Sequence, residues 1–131
     1  MNAPTATPTL DHIGFTVSDF ARAKAFYSAA LQPLGITIQL EFTEHGGVAG
    51  FGRSKPEFWI AAGDSSTSPF HMAFQAANRA EVDAFYKAAI AAGAKDNGAP
   101  GLRPQYHPNY YAAFVFDADG HNVEAVCHHP E

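Results

Sequence analysis

The chain repeats itself. His12-Ile13-Gly14-Phe15 recurs as His71-Met72-Ala73-Phe74, and the same offset of 59 residues sets Ala25-Phe26-Tyr27 on Ala84-Phe85-Tyr86 and Leu31 on Ile90. A repeat of this length indicates two copies of one supersecondary unit, each leaving an apolar face for the other to cover. Both copies read alike. A short alternating strand (Leu10 to Val17; Phe70 to Ala76) is followed by an N-capping residue, Asp19 or Asn78, the latter opening a capping box with Glu81. Helical periodicity then carries Phe20, Ala23, Tyr27, Ala30 and Leu31, and in the second copy Val82, Phe85, Ala89 and Ile90. Gly35 and Gly93 sit where a left-handed helix terminus belongs.

Three further strands follow in each half. They are Ile36 to Phe42, Val48 to Phe51 and Phe58 to Ala61, then Ala94 to Asn97, Tyr110 to Phe116 and Asn122 to Val126, with turns at Gly46-Gly47 and Asp117 to Gly120. The expected fold is α+β: two tandem βαβββ modules, residues 9–64 and 69–127. Around them lie a Pro-interrupted N-terminal arm (1–8), a Ser/Thr connector (65–69) and a short tail (128–131). The arm lacks the basic and apolar regions of a secretory signal.

Composition matters here for what it excludes. A formal charge of -5 is a poor electrostatic footprint for nucleic acid, and no apolar run approaches the roughly 20 residues of a membrane helix. One cysteine, Cys127, excludes an internal disulfide and makes the cytoplasm the expected compartment. Seven histidines against eight Lys and Arg is the unusual balance.

Strand alternation points His12 and His71 away from the apolar faces that pack under the helices. A second offset, of 65 residues, lays Phe51 to Trp59 on Phe116 to Glu124. Under pseudo-two-fold symmetry four positions then converge: His12, Trp59, His71 and Glu124. Two neutral imidazoles and a carboxylate suit one divalent cation and leave coordination positions open. The alternative for each histidine alone is an ordinary strand residue, and for Glu124 an exposed edge. His45, His128 and His129 read as solvated, and Cys127 as core filler. The stretch Gly98 to Tyr111 reads as a long binding loop, with Arg103 offering a fork for an anion, Tyr106, Tyr110 and Tyr111 lining a pocket, and His107 able to exchange a proton.

Leu10 to Val17 with Ala25-Phe26-Tyr27 and Leu34-Gly35, Phe70 to Phe74, and Asp117 to Glu124 resemble the motifs of the vicinal oxygen chelate superfamily, which includes glyoxalases, extradiol dioxygenases, fosfomycin-resistance thiol transferases and bleomycin-binding proteins. The resemblance implies a curved eight-stranded mixed sheet around a central site, commonly in a homodimer. It also implies His12, His71 and Glu124 as metal ligands holding iron, manganese, zinc or nickel. The expected activity is that of a metal-dependent lyase, isomerase or dioxygenase on a small substrate with vicinal oxygens. In that expectation His107 and Tyr111 act in catalysis, and Trp59, Arg103, Tyr106 and Tyr110 bind substrate. A non-catalytic binding protein and a fosfomycin-type thiol transferase are the alternatives. Trp59 stands where a glyoxalase carries its fourth ligand, with Glu57 two residues away. The additional acid/base histidine of extradiol dioxygenases has no counterpart before His71.

Overall fold

The structure, a computed structural model, describes residues 10–64 and 70–131; the N-terminal arm and the connector lie outside them. The first module comprises β1 (Ile13–Val17), α1 (Phe20–Leu31), β2 (Thr37–Phe42), β3 (Val48–Gly52) and β4 (Phe58–Ala62). The second comprises β5 (His71–Gln75), α2 (Arg79–Ala91), β6 (Lys95–Leu102), β7 (Tyr111–Phe116) and β8 (Asn122–Cys127). The strands form two four-stranded mixed sheets of order β1-β4-β3-β2 and β5-β8-β7-β6. In each, the first and last strands run parallel and the other pairs antiparallel. Among the described residues, the strand that opens each module therefore lies at a sheet edge.

Local chemistry sets these boundaries. The Asp19 carboxylate accepts from Arg22 N at 3.1 Å and the Asn78 amide oxygen from Glu81 N at 2.9 Å, satisfying N–H groups at the helix starts. Glu81 completes its box by accepting from Ala77 N. Gly35 (φ 75°) and Gly93 (φ 105°) occupy the left-handed region where each helical segment ends.

Side-chain alternation decides what lies beneath the helices. Val17, Phe51, Ile60, Val115, Val123, Ala125 and Cys127 are fully buried, joined by Tyr27 and Leu31 from α1 and Val82, Phe85 and Ala89 from α2. The helices also pack on each other and join the modules. An aromatic seam, in which Phe15 meets Phe70 at 4.8 Å and Phe58 meets Phe74 at 5.3 Å, runs between the halves. Phe58, the one buried ring among these, contributes about 1.5–3 kcal/mol on burial, and the half-buried Phe15, Phe70 and Phe74 contribute less. Two polar ties reinforce the junction. The Tyr27 hydroxyl donates to buried Asp117, and the Arg53 guanidinium donates to Leu34 O (3.1 Å) and Gln75 O (2.7 Å) across the modules.

Two boundaries differ from expectation by more than one residue. The first strand begins at Ile13, so His12 immediately precedes it. The sixth continues through Leu102 because Gly98 (φ 146°) and two register shifts let the Gly- and Pro-containing segment stay paired with β7. Only residues 103–110 remain as loop between these strands.

Candidate functional site

His71 and Glu124 meet on the face of the second sheet turned away from α2. β5 and β8 run parallel with His71 opposite Asn122 and Ala73 opposite Glu124. His71 Nε2 lies 2.9 Å from Glu124 Oε1; the histidine side chain is 49% exposed and the carboxylate 1%. His71 Nδ1 is 3.1 Å from the carbonyl of Asn122, so Nδ1 carries the hydrogen and donates it. In the neutral ring Nε2 is then the lone-pair nitrogen, and it faces a carboxylate oxygen. That contact is complete only with a proton or a cation between the two atoms. A carbonyl that fixes the imidazole tautomer is the usual support of a metal-bound histidine.

Glu124 is further held by Tyr110, whose hydroxyl donates to Oε2. Burial first, then this hydrogen bond and the carboxylate charge, push the Tyr110 phenol above its ordinary pKa, so it remains the donor. Tyr110 also packs against Tyr106, His107 and His128, with ring centroids 5.0–5.4 Å apart. His107 Nδ1 accepts from Asn109 N at 3.1 Å, which places the ring hydrogen on Nε2 and aims it at His128 Nδ1, 2.6 Å away. His128 is exposed, as the sequence suggested, but it is a partner of His107. No periodicity carries into the last residues of the chain to reveal that pairing.

Tyr111 is not brought to this face. It alternates with Tyr110, donates to Asp83 of α2 at 2.6 Å, and lies under the Arg79 guanidinium. The strand pleat accounts for this: Tyr111 opposes Cys127 on the helix side, whereas Phe114 opposes Glu124 on the other. Phe114 stacks on His71 at 6.4 Å, and the Arg103 guanidinium lies 5.3 Å from the centre of the Phe114 ring.

His12 stands at the edge of the first sheet, one residue before β1. Its Nδ1 donates to Asp11 at 2.8 Å, and its side chain is 60% exposed. This hydrogen bond, with the Lys55 charge, holds the Asp11 carboxyl below its ordinary pKa. His12 and Asp11 border a shallow depression with Gly14, Val48, Pro56 and Trp59. Trp59 pairs with Gly14, two residues after His12, as Glu124 pairs with Ala73, two residues after His71. The register thus equates Trp59 with Glu124. A Cβ at Gly50 would meet the Trp59 ring and Pro56 at 2.8 Å, so this glycine admits the indole as a flat apolar floor. Among the described residues, no three His, Cys, Asp or Glu gather closely enough to hold a metal; within one chain His12 does not join His71 and Glu124.

His121 had no assigned role in the sequence. It is buried between Phe15 and Phe70, with ring centroids 4.6 and 4.5 Å away, and its Nδ1 accepts from Phe70 N. Its Nε2 has no hydrogen-bond partner among the described residues.

Comparison with known proteins agrees with this architecture. No curated protein matches the chain. Among solved structures, a glyoxalase/bleomycin resistance protein from Albidiferax ferrireducens superposes with a TM-score of 0.76 at 25% identity, covering 92% of this chain and 99% of that one. A family enzyme from Burkholderia phytofirmans gives 0.68 at 19% identity, over 89% and 96%. The genomically encoded fosfomycin resistance protein of Listeria monocytogenes, complexed with Mn(II) and a dihydroxypropylphosphonic acid, gives 0.67 at 22%, over 92% and 90%. The profile of the Glyoxalase/Bleomycin resistance protein/Dioxygenase superfamily matches residues 9–125, and the chain belongs to that superfamily.

Proposed function

We propose that the protein is a metal-dependent enzyme of the glyoxalase/dioxygenase type, with a site shared between two copies of the chain. His71 and Glu124 of one copy would hold a divalent cation together with His12 of a second. The observation that carries this reading is His71 itself: Nδ1 is committed to the Asn122 carbonyl, and Nε2 faces a carboxylate. The split is supported by topology. β1 and β5, the strands at whose starts the two histidines lie, are both edge strands among the described residues, so β1 of one chain can adjoin β5 of another. Such a two-fold arrangement makes two equivalent sites and would also cover exposed apolar side chains, among them Leu10 (70%) and Ile13 (39%).

The bound cation would act as a Lewis acid toward two adjacent substrate oxygens. The chain's own groups do the rest. Tyr110 keeps the Glu124 carboxylate oriented through Oε2, and Asn122 fixes the His71 tautomer. Trp59 supplies an apolar floor that excludes water from one side. His107, hydrogen-bonded to His128, is the group placed to exchange a proton at the loop side. The Mn(II) complex of the fosfomycin resistance relative supports a metal-centred reading of this fold.

The Trp59 floor favours a second reading, a non-catalytic protein that stacks a planar ligand. Metal content separates the two. After supplementation with Mn(II), Fe(II), Zn(II) or Ni(II), elemental analysis should find about one ion per chain, lost in H71A and E124Q. No divalent ion in any preparation, with ligand binding unchanged in H71A, would favour the stacking protein. Thiol consumption with an electrophile and Mn(II) would indicate a transferase, and oxygen uptake a dioxygenase.

A further inference from the structure

We propose that Arg103 is an anion seat beside the metal-binding pair, so that the substrate is an oxyacid: its vicinal oxygens go to the metal and a separate carboxylate or phosphate goes to the guanidinium. This rests on the metal reading above and narrows it to a chemical class of substrate.

The seat is built by backbone. A Cβ at Gly98 would stand 3.1 Å from Arg103 Nη2, and one at Gly101 would stand 3.1 Å from Nη1. The two glycines of β6 therefore leave the space that the guanidinium fills. Beneath it lies the Phe114 ring. Nη2 donates to Ala99 O at 2.9 Å, and Arg103 N donates to Tyr110 O at 2.7 Å. A long side chain gives up rotamer freedom to be held this way, and a merely solvated arginine gains nothing from it.

Its charge is not spent inside the protein. The ion pairs among the described residues join His12 and Lys55 to Asp11, Lys24 to Glu41, and His71 to Glu124; none includes Arg103. Ala99 O is the one acceptor its guanidinium finds among those residues, against five N–H donors on a planar fork. Two independent neighbours tie this cation to the site. Phe114, under the guanidinium, stacks on His71 and opposes Glu124 across the β7–β8 ladder. Tyr110, whose carbonyl accepts from Arg103 N, reaches Glu124 with its hydroxyl. A free guanidinium one ring away from a metal-binding imidazole is placed for the anionic end of a small chelating molecule.

Calorimetric titration of Mn(II)-loaded protein tests this with two pairs of probes: 3,4-dihydroxybenzoate against catechol, and glycerol 3-phosphate against glycerol. The anionic member of at least one pair should bind about tenfold tighter or better, and the pair with the larger gain identifies carboxylate or phosphate. In R103Q that preference should shrink to about twofold while catechol affinity stays unchanged. Equal binding within both pairs overturns the proposal. So does a preference that survives in R103Q, or a loss of catechol binding by the same factor, which would mark Arg103 as structural. Repeating the dihydroxybenzoate titration without metal separates the two readings. An Arg103-dependent preference in a protein that takes up no Mn(II) keeps the seat and removes the metal site; Mn(II) uptake without any preference does the reverse.

Discussion

Replacing Tyr110 by Phe isolates the hydrogen bond that orients Glu124. The ring, and with it the packing against Tyr106, His107 and His128, is retained; only the hydroxyl on Oε2 is lost. A hydrogen bond to a charged acceptor contributes about 1.5–3 kcal/mol. Glu124 is 1% exposed, which argues for the upper end, but Tyr110 is only half-buried, so solvent can take over part of the place of the lost hydroxyl. The expected cost is therefore about 1.5 kcal/mol, or about 5 °C in Tm for a domain of this length. Urea unfolding of metal-free protein at neutral pH and fixed concentration measures it. The same substitution in an E124Q background should cost less than half as much, since the amide is an uncharged acceptor. A cost below about 0.5 kcal/mol, or an equal cost in both backgrounds, would refute the assignment of Tyr110 to Glu124.

Three other consequences are accessible. Gly50→Ala places a methyl 2.8 Å from the Trp59 ring, so this sole tryptophan should shift its emission to the red and stability should fall by about 1–3 kcal/mol; unchanged emission would contradict the floor. Arg53→Ala removes the donors to Leu34 O and Gln75 O and should cost about 1–2 kcal/mol in urea unfolding, whereas no loss would show that the helices and the aromatic seam alone join the modules. Asp11, lowered chiefly by its hydrogen bond to His12, should titrate below the ordinary carboxylate value by NMR and move back up in H12A. Because the folded pKa is the lower one, the stability this contact contributes is present above the unfolded value and lost as pH falls through the folded one.

The repeat made the modules legible because each copy carries the same cap, helix stripe and left-handed glycine, all local signals. The offset of 65 residues and the pseudo-two-fold symmetry set His71 beside Glu124, and the parallel pairing of β5 and β8 is what brings the two side chains into contact. The equivalence of Trp59 and Glu124 was readable from a fixed offset, and the strand register bears it out. What escaped depended on geometry that spacing does not encode. Tyr110 and Tyr111 are adjacent and chemically alike, and only the pleat next to a bulged strand decides which one reaches Glu124. The His107–His128 pair joins a loop to the chain's last residues. His12 illustrates a different limit. Symmetry within the sequence brings four positions together, but it does not say whether they meet in one chain or between two.

Mixing complementary variants decides that last point and tests the account most directly. H12A and H71A should each bind Mn(II) weakly on their own. Unfolded together and refolded as an equal mixture, half of the dimers would be mixed. Each of these would hold one intact site, built from His12 of the H71A chain and His71 with Glu124 of the H12A chain. Titration should then recover about one quarter of the wild-type Mn(II) sites at wild-type affinity. No recovery, from a mixture shown to contain heterodimers, would contradict a metal site shared between two copies.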